Sequence, residues 1–209
     1  DGAPIFSPFH LGGFFSVFNA DMVERAELFS GGLSARYGGR VSSVLAVESD
    51  PGDGTFGVDA GVSVLATRVA VQGGASEGGR DAVGLSDLRW RVSGRRSYID
   101  ALLAPVVDLP YHLQDLQAVV EAGVGRRDRI RVTAYTGDDV LDLASIDDED
   151  FPLRVDWNWG NDVLGVRWTR ELGRGSWTTT ASVTRYGTGL RFPDFGDTDF
   201  RSAVDQDAV

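Results

Sequence analysis

From residue 88 onward, apolar and polar side chains alternate with a period of two. Leu88, Trp90 and Val92 alternate with Arg89, Arg91 and Ser93, and Leu116, Ala118, Val120, Ala122 and Val124 alternate with Asp115, Gln117, Val119, Glu121 and Gly123. The same beat runs through Ile130, Val132 and Ala134, through Leu164, Val166 and Trp168, and through Trp177, Thr179, Ala181 and Val183. Such patterning predicts β-strands with one apolar and one polar face. The polar faces carry arginine on some strands and aspartate or glutamate on others, which suits charge pairing between neighbouring strands.

The connections sort by length. Gly125–Asp128 and Gly173–Ser176 read as tight turns, whereas 99–111, 138–155 and 187–209 are long. Membrane barrels of the outer-membrane type alternate in this way, with short turns at one end and longer loops at the other. Strands are therefore expected at 86–98, 112–124, 129–138, 156–172 and 177–187. For the chain to enter from the short-turn end, 55–72 must hold two short strands with a bend near Ser63 to Ala66.

Residues 1–49 follow another plan. Phe6, Phe9, Phe14, Phe15 and Phe18 crowd a glycine-containing segment. Asn19 is placed to cap a short helix over 21–25, with acids in its first turn. Strand candidates follow at 26–29 and 41–48. The breaker cluster Asp50-Pro51-Gly52-Asp53-Gly54 marks a junction, dividing the chain into 1–50 and 51–209.

Composition narrows the function. A net charge of -11 argues against a nucleic-acid partner. Without cysteine there is neither a disulfide framework nor a thiolate metal site. No run of about 18 apolar residues predicts a membrane helix, but strands can cross with about 9 to 11 residues, every second one facing away from lipid. The chain starts at Asp1 without a leader and ends in an acidic stretch unlike a closing strand, so both ends are expected to be cuts in a longer protein. Neither Gly-x-Ser-x-Gly, His-Glu-x-x-His nor a P-loop occurs, and no enzyme is expected. The acidic run within 138–150 matches no Ca²⁺ loop and reads as a solvated loop.

Residues 1–49 resemble the second half of the plug domain of a TonB-dependent outer-membrane receptor. The family's Asp-Gly-x-Pro turn matches Asp1 to Pro4. Its short helix, Glu-x-hydrophobic strand and Gly-rich turn match Asp21 to Arg25, Glu27 to Phe29 and Ser30 to Gly32. A small-x-Tyr-Gly step follows at Ala35-Arg36-Tyr37-Gly38, and then a last plug strand over Val41 to Val47. The wording from His10 to Leu45 is most similar to receptors of the Bacteroidota type, although Ala20 stands where that group usually has proline. Residues 92–105, 125–139 and 159–168 are similar to the opening barrel strands of the same group. A TonB box, the first half of the plug and the closing strands do not occur in this sequence.

The resemblance implies a mainly β fold: a partial transmembrane antiparallel β-barrel of about seven strands, holding a small α+β partial plug domain. It implies ligand-gated, energy-coupled import of a scarce nutrient (a siderophore, cobalamin, oligosaccharide or peptide) across the cell outer membrane of a Gram-negative bacterium. The partners would be outer-membrane lipid, the TonB energy-transducing complex, the nutrient ligand and, as in some relatives, a surface lipoprotein, with no cofactor and no metal. A ligand floor would lie at the plug apex, on Phe9, His10, Phe14 and Phe15, though phenylalanines there more often form the plug's own core or its packing against the wall. Plug–barrel contacts would join Arg36 and Arg40 to Asp115 and Glu121. Arg89, Arg91 and Arg95 would attract anionic cargo or be neutralised by acids on neighbouring strands. A soluble all-β binding or adhesion module, with the apolar face turned inside, is the alternative, because periodicity alone does not say which face meets solvent.

Overall fold

The computed structural model of the chain describes residues 1–10, 13, 15–33, 37, 42–75, 85–106, 109–146, 154–194 and 198–208. The first fifty residues carry two small antiparallel hairpins, β1 (Phe9–His10) with β2 (Phe15–Ser16), and β3 (Val23–Phe29) with β4 (Val44–Ser49). A helix over 21–25 does not form; a 3-10 turn spans Ala20–Met22 and the chain is already extended at Val23. From Val23 the chain pairs with β4 (Val23↔Ser49) instead of continuing a helix, and Asn19 makes no side-chain capping hydrogen bond; its amide nitrogen donates to the Ser93 hydroxyl at 2.5 Å.

The alternating segments form one eight-stranded antiparallel meander: β5 (Gly57–Val62), β6 (Ala66–Ala75), β7 (Leu85–Ser97), β8 (Tyr111–Val124), β9 (Asp128–Asp142), β10 (Asp156–Leu172), β11 (Gly175–Phe192) and β12 (Thr198–Ala208). Each strand pairs only with its neighbours in sequence, and the sheet stays open, with β5 and β12 as its edges. The stretch 55–72 does divide in two: β5 and β6 are joined by a bend at 63–65, where Ser63 Oγ accepts from the Ala66 amide at 3.1 Å. The sheet has one strand more than the expected seven, because the acidic end of the chain, read as loop, pairs with β11 from Ser182↔Ala208 to Phe192↔Thr198.

Connections differ at the two ends of the sheet. Three residues join β8 to β9 and two join β10 to β11, where Gly125 and Gly173 take positive φ (63° and 38°) that tight turns demand. Nine residues separate β6 from β7 at that same end; at the opposite end three residues join β5 to β6, and longer connections follow β7 and β9, the first containing the short helix α1 (Ile99–Leu103). The chain enters the sheet at the short-turn end, where Gly54 packs against Gly74 so closely that a Cβ on Gly74 would lie 2.7 Å from the Gly54 Cα.

The two faces of the sheet meet different surroundings. One face is covered by described parts of the N-terminal segment, the outer part of the β3–β4 hairpin staying exposed (Leu28 69%, Leu45 54%), and holds both buried clusters: Ile99, Tyr111, Leu113 and Trp159 in one, Val17, Tyr135 and Val163 in the other. The other face is bare. Along β8 it carries Leu116, Ala118, Val120, Ala122 and Val124, and register aligns these with Val69, Val71, Trp90 and Val92 on one side and Ile130, Val132, Ala134, Leu164, Val166, Ala181 and Val183 on the other. Leu164 and Val183 remain 53% and 54% exposed. Polar rows bound this band. Thr67, Arg96, Gln114 and Asp138 align at the long-loop end, while Trp168 donates its indole N–H to Asp128 (3.0 Å) near the short turns.

Candidate functional site

The covered face is built from charge. Period two puts Arg89, Arg91, Ser93 and Arg95 of β7, Asp115, Gln117 and Glu121 of β8, Arg131, Tyr135 and Asp139 of β9, Asn161 and Arg167 of β10, and Thr184 of β11 on one side of the sheet. An isolated face of this kind would be solvated. Here it is the seat of the N-terminal segment, and most of its polar groups find partners there.

Backbone groups of the segment are met one by one. Thr184 Oγ1 donates to the Pro4 carbonyl (2.9 Å), Asn161 Nδ2 to the Ser7 carbonyl (2.9 Å) and Gln117 Nε2 to the Val17 carbonyl (2.6 Å). These side chains satisfy carbonyls that would otherwise be buried unpaired, at a cost of about 1–3 kcal/mol each. Arg95 reaches the Ser16 carbonyl (2.8 Å) and Arg91 the Asp21 carbonyl (2.6 Å).

Ion pairs reinforce the seat in two places. Arg91 holds Asp50 (2.6 Å), and Arg68 pairs with Asp21, fixing the turn and the exit of the segment. Nearer the short turns, Arg131 spans from Glu121 (2.7 Å) to the Asp1 carboxylate (3.2 Å) and the Ser49 carbonyl (3.0 Å), while Arg167 lies 3.5 Å from Glu48. Burial works against the Glu48 carboxylate, but the Arg167 and Arg25 guanidiniums beside it outweigh burial and hold its pKa below the ordinary value. A polar cavity of about 330 Å³ opens here, lined by Glu48, Glu121, Arg129, Arg131, Arg167 and Glu171 among others.

The sequence-predicted residues fall as follows. Phe9, His10 and Phe15 share the β1–β2 hairpin but separate in environment. Phe9 is 51% exposed, Phe15 packs against the Ile99–Trp159 cluster, and His10 is 1% exposed between Asp115 and Asp139. Phe14, Arg36 and Arg40 lie outside the described residues. Asp115 pairs with Arg95 (2.6 Å) and faces His10. Glu121 collects Arg89, Arg129 (2.7 Å) and Arg131. Arg89, Arg91 and Arg95 do not form a free cationic stripe; each has an acid partner in Glu121, Asp50 and Asp115 respectively.

Sequence reasoning missed Arg131, Asp139, Asn161 and Gln117 as contact residues. Their only signal was a polar residue at the covered parity of a strand, and choosing among several requires the register. No protein-family model, curated protein or solved structure matches this chain.

Proposed function

We propose that the chain is the wall and the stopper of an outer-membrane receptor of the TonB-dependent kind, taking part in energy-coupled import of a scarce nutrient. The observation that carries this reading is the inversion of the sheet. Among the described residues nothing covers its apolar face, whereas its charged face is packed under parts of the N-terminal segment. A soluble sheet buries the apolar face and leaves the charged one to water. The reverse arrangement suits a wall with lipid outside and a filled lumen within.

Dimensions agree with the proposal. The bare apolar stretch of β8, Leu116–Val124, is nine residues long, about the length a tilted strand needs to cross hydrocarbon. Indole N–H groups of Trp168 and Trp177 meet polar oxygens at the short-turn end of the band, where aromatic girdles are found in such walls. In this reading the first fifty residues are the removable stopper, Arg91, Arg95, Arg131 and Arg167 its releasable ties, and the β1–β2 hairpin its apex toward the ligand. The cargo remains within the class of siderophore, cobalamin, oligosaccharide or peptide.

One feature favours the soluble binding or adhesion module instead. On β12 the bare face carries Asp205 and Asp207, and Asp207 aligns with Val183 inside the apolar row. Spin labels at positions 120, 164 and 183, in the protein within its native membrane, separate the readings. The receptor reading requires high accessibility to oxygen and low accessibility to a water-soluble nickel relaxant. Labels at positions 117 and 182, on the covered face, should not meet oxygen-rich lipid. Free access of nickel to position 164 overturns the proposal.

A further inference from the structure

Among the described residues, His10 is the most deeply enclosed ionisable side chain that the N-terminal segment brings to the sheet. Two strands close on it. Asp139 of β9 accepts from His10 Nδ1 at 2.6 Å, and Asp115 of β8 lies 3.6 Å from Nε2, too far for a hydrogen bond but close for opposite charges. Both carboxylates are as deeply buried as the imidazole.

The groups around this triad complete its charge. Arg95 of β7 donates Nε to Asp115 (2.7 Å) and Nη2 to the carbonyl of Ser16, on the second strand of the same hairpin. Tyr111 of β8 donates its hydroxyl to Asp139, and Tyr135 of β9 is buried in the same layer, with Asp138 adding a negative charge from the far face of β9. With imidazole neutral, Asp115, Asp139 and Arg95 leave the buried triad one negative charge in excess. Protonation of His10 balances it.

The other ionic ties of the segment to the sheet run through arginines, Arg68, Arg91, Arg95, Arg131 and Arg167, which keep their charge throughout the physiological range. Histidine is the side chain that changes charge there. We propose that His10 is a proton-operated latch: protonated, it clamps the β1–β2 hairpin between Asp115 and Asp139, and neutral, it lets that hairpin lift from the sheet. The hairpin is small enough to open as a unit: among the described residues its backbone is joined by the pairings Phe9↔Ser16 and His10↔Phe15 and by the Val17 amide on the Pro8 carbonyl (3.1 Å).

The direction of the response follows. Burial opposes the charged imidazole, but the two carboxylates beside it, Asp115 by its charge and Asp139 by charge and hydrogen bond, outweigh burial and raise the His10 pKa above the ordinary value. The docked hairpin therefore binds a proton more tightly than the free one. Docking has its full support below the ordinary histidine pKa of about 6.5, weakens as pH rises through the raised value, and loses this contribution above it. The latch requires no assignment of cargo or of the medium against the bare face, so it stands or falls apart from the receptor reading.

The protein contains two histidines, so His112→Asn leaves His10 as the only imidazole. Nitrogen-15 NMR of that variant should show His10 titrating above about pH 6.5. Hydrogen exchange of residues 7–17, corrected for its intrinsic pH dependence, should accelerate around the same midpoint, roughly tenfold for each unit by which the docked pKa exceeds the free one. His10→Gln should give fast exchange at every pH, and His10→Lys should keep the hairpin protected to pH 9. The latch is overturned if His10 is neutral at pH 5.5, if protection of 7–17 is flat from pH 5.5 to 8.5, or if His10→Gln preserves the pH response.

Discussion

Val120 and Glu121 are adjacent in β8 and face opposite surroundings. Val120 is 39% exposed on the bare apolar band, while Glu121 is 4% exposed and holds three arginines under the N-terminal segment. Along this stretch of β8 the apolar side chains take the bare face and the charged ones the covered face.

A charge placed on the band distinguishes lipid from water. Val166→Arg puts a guanidinium on the bare face, where lipid would make it cost about 2–4 kcal/mol near the bilayer midplane, against about 0.5 kcal/mol or less for an exposed position in water. The expected outcome is a lower yield of folded, membrane-extracted protein for Val166→Arg than for Thr169→Arg. Equal yields with unchanged urea midpoints would place the band in water.

Removing the Glu121 carboxylate should loosen the seat of the segment. Glu121→Gln leaves Arg89, Arg129 and Arg131 without their shared acid, and breaking one side of a buried ion pair costs about 3–5 kcal/mol. Because Arg131 also ties Asp1 and the Ser49 carbonyl, the loss should spread to the segment. Denaturant unfolding read at β8, together with proteolytic nicking of residues 42–56, measures both effects. The exposed pair Arg185–Asp205, broken by Asp205→Asn, should leave the unfolding midpoint nearly unchanged.

Two glycines offer a matched test of packing. A Cβ on Gly137 would lie 2.1 Å from the Tyr135 hydroxyl and 3.2 Å from the Asp115 Cβ, so Gly137→Ala must push the Tyr135 ring off the cluster it forms with Val17 and Val163. Overpacking of this kind costs about 1–3 kcal/mol. Gly187→Ala has nothing within 4 Å of the added atom and should be near neutral. The difference in thermal midpoint between the two variants is the readout.

The acid limb of stability belongs partly to Glu48. Its pKa is held below the ordinary value by Arg167 and Arg25. The folded state therefore binds this proton less readily than the unfolded one, and the contribution is present above the ordinary glutamate pKa of about 4.3 and lost as pH falls through the depressed value. Hydrogen exchange of β4 should rise on acidification below pH 4.3, and Glu48→Gln should flatten that rise.

The strands were legible in the sequence because one face had to be apolar throughout. The bend between β5 and β6 was legible too, from the parity that loop lengths impose. β12 was not, since Arg201, Ala203, Asp205 and Asp207 carry no apolar alternation, and the strand is recruited by the free edge of β11. The helix expected over 21–25 gives way to β3, whose pairing with β4 begins at Val23↔Ser49, well downstream of it in sequence, a partner that no local pattern announces. His10 was legible as a residue of the hairpin but not as a clamped one. Asp115 and Asp139 are 24 positions apart and meet only because β8 and β9 pair with Leu113 opposite Asp139 and Asp115 opposite Gly137.

Every ladder in the large sheet joins consecutive strands, so the sheet can zip together from short loops at small entropic cost. The N-terminal segment has no such shortcut. Pro4 waits for Thr184, 180 residues downstream, and Ser7 for Asn161, 154 residues downstream. Within this chain, the polypeptide made earliest is thus the last to find its place, and it must stay unsettled until β10 and β11 have arrived. Whatever guards the nascent protein from aggregation must shelter those opening residues longest.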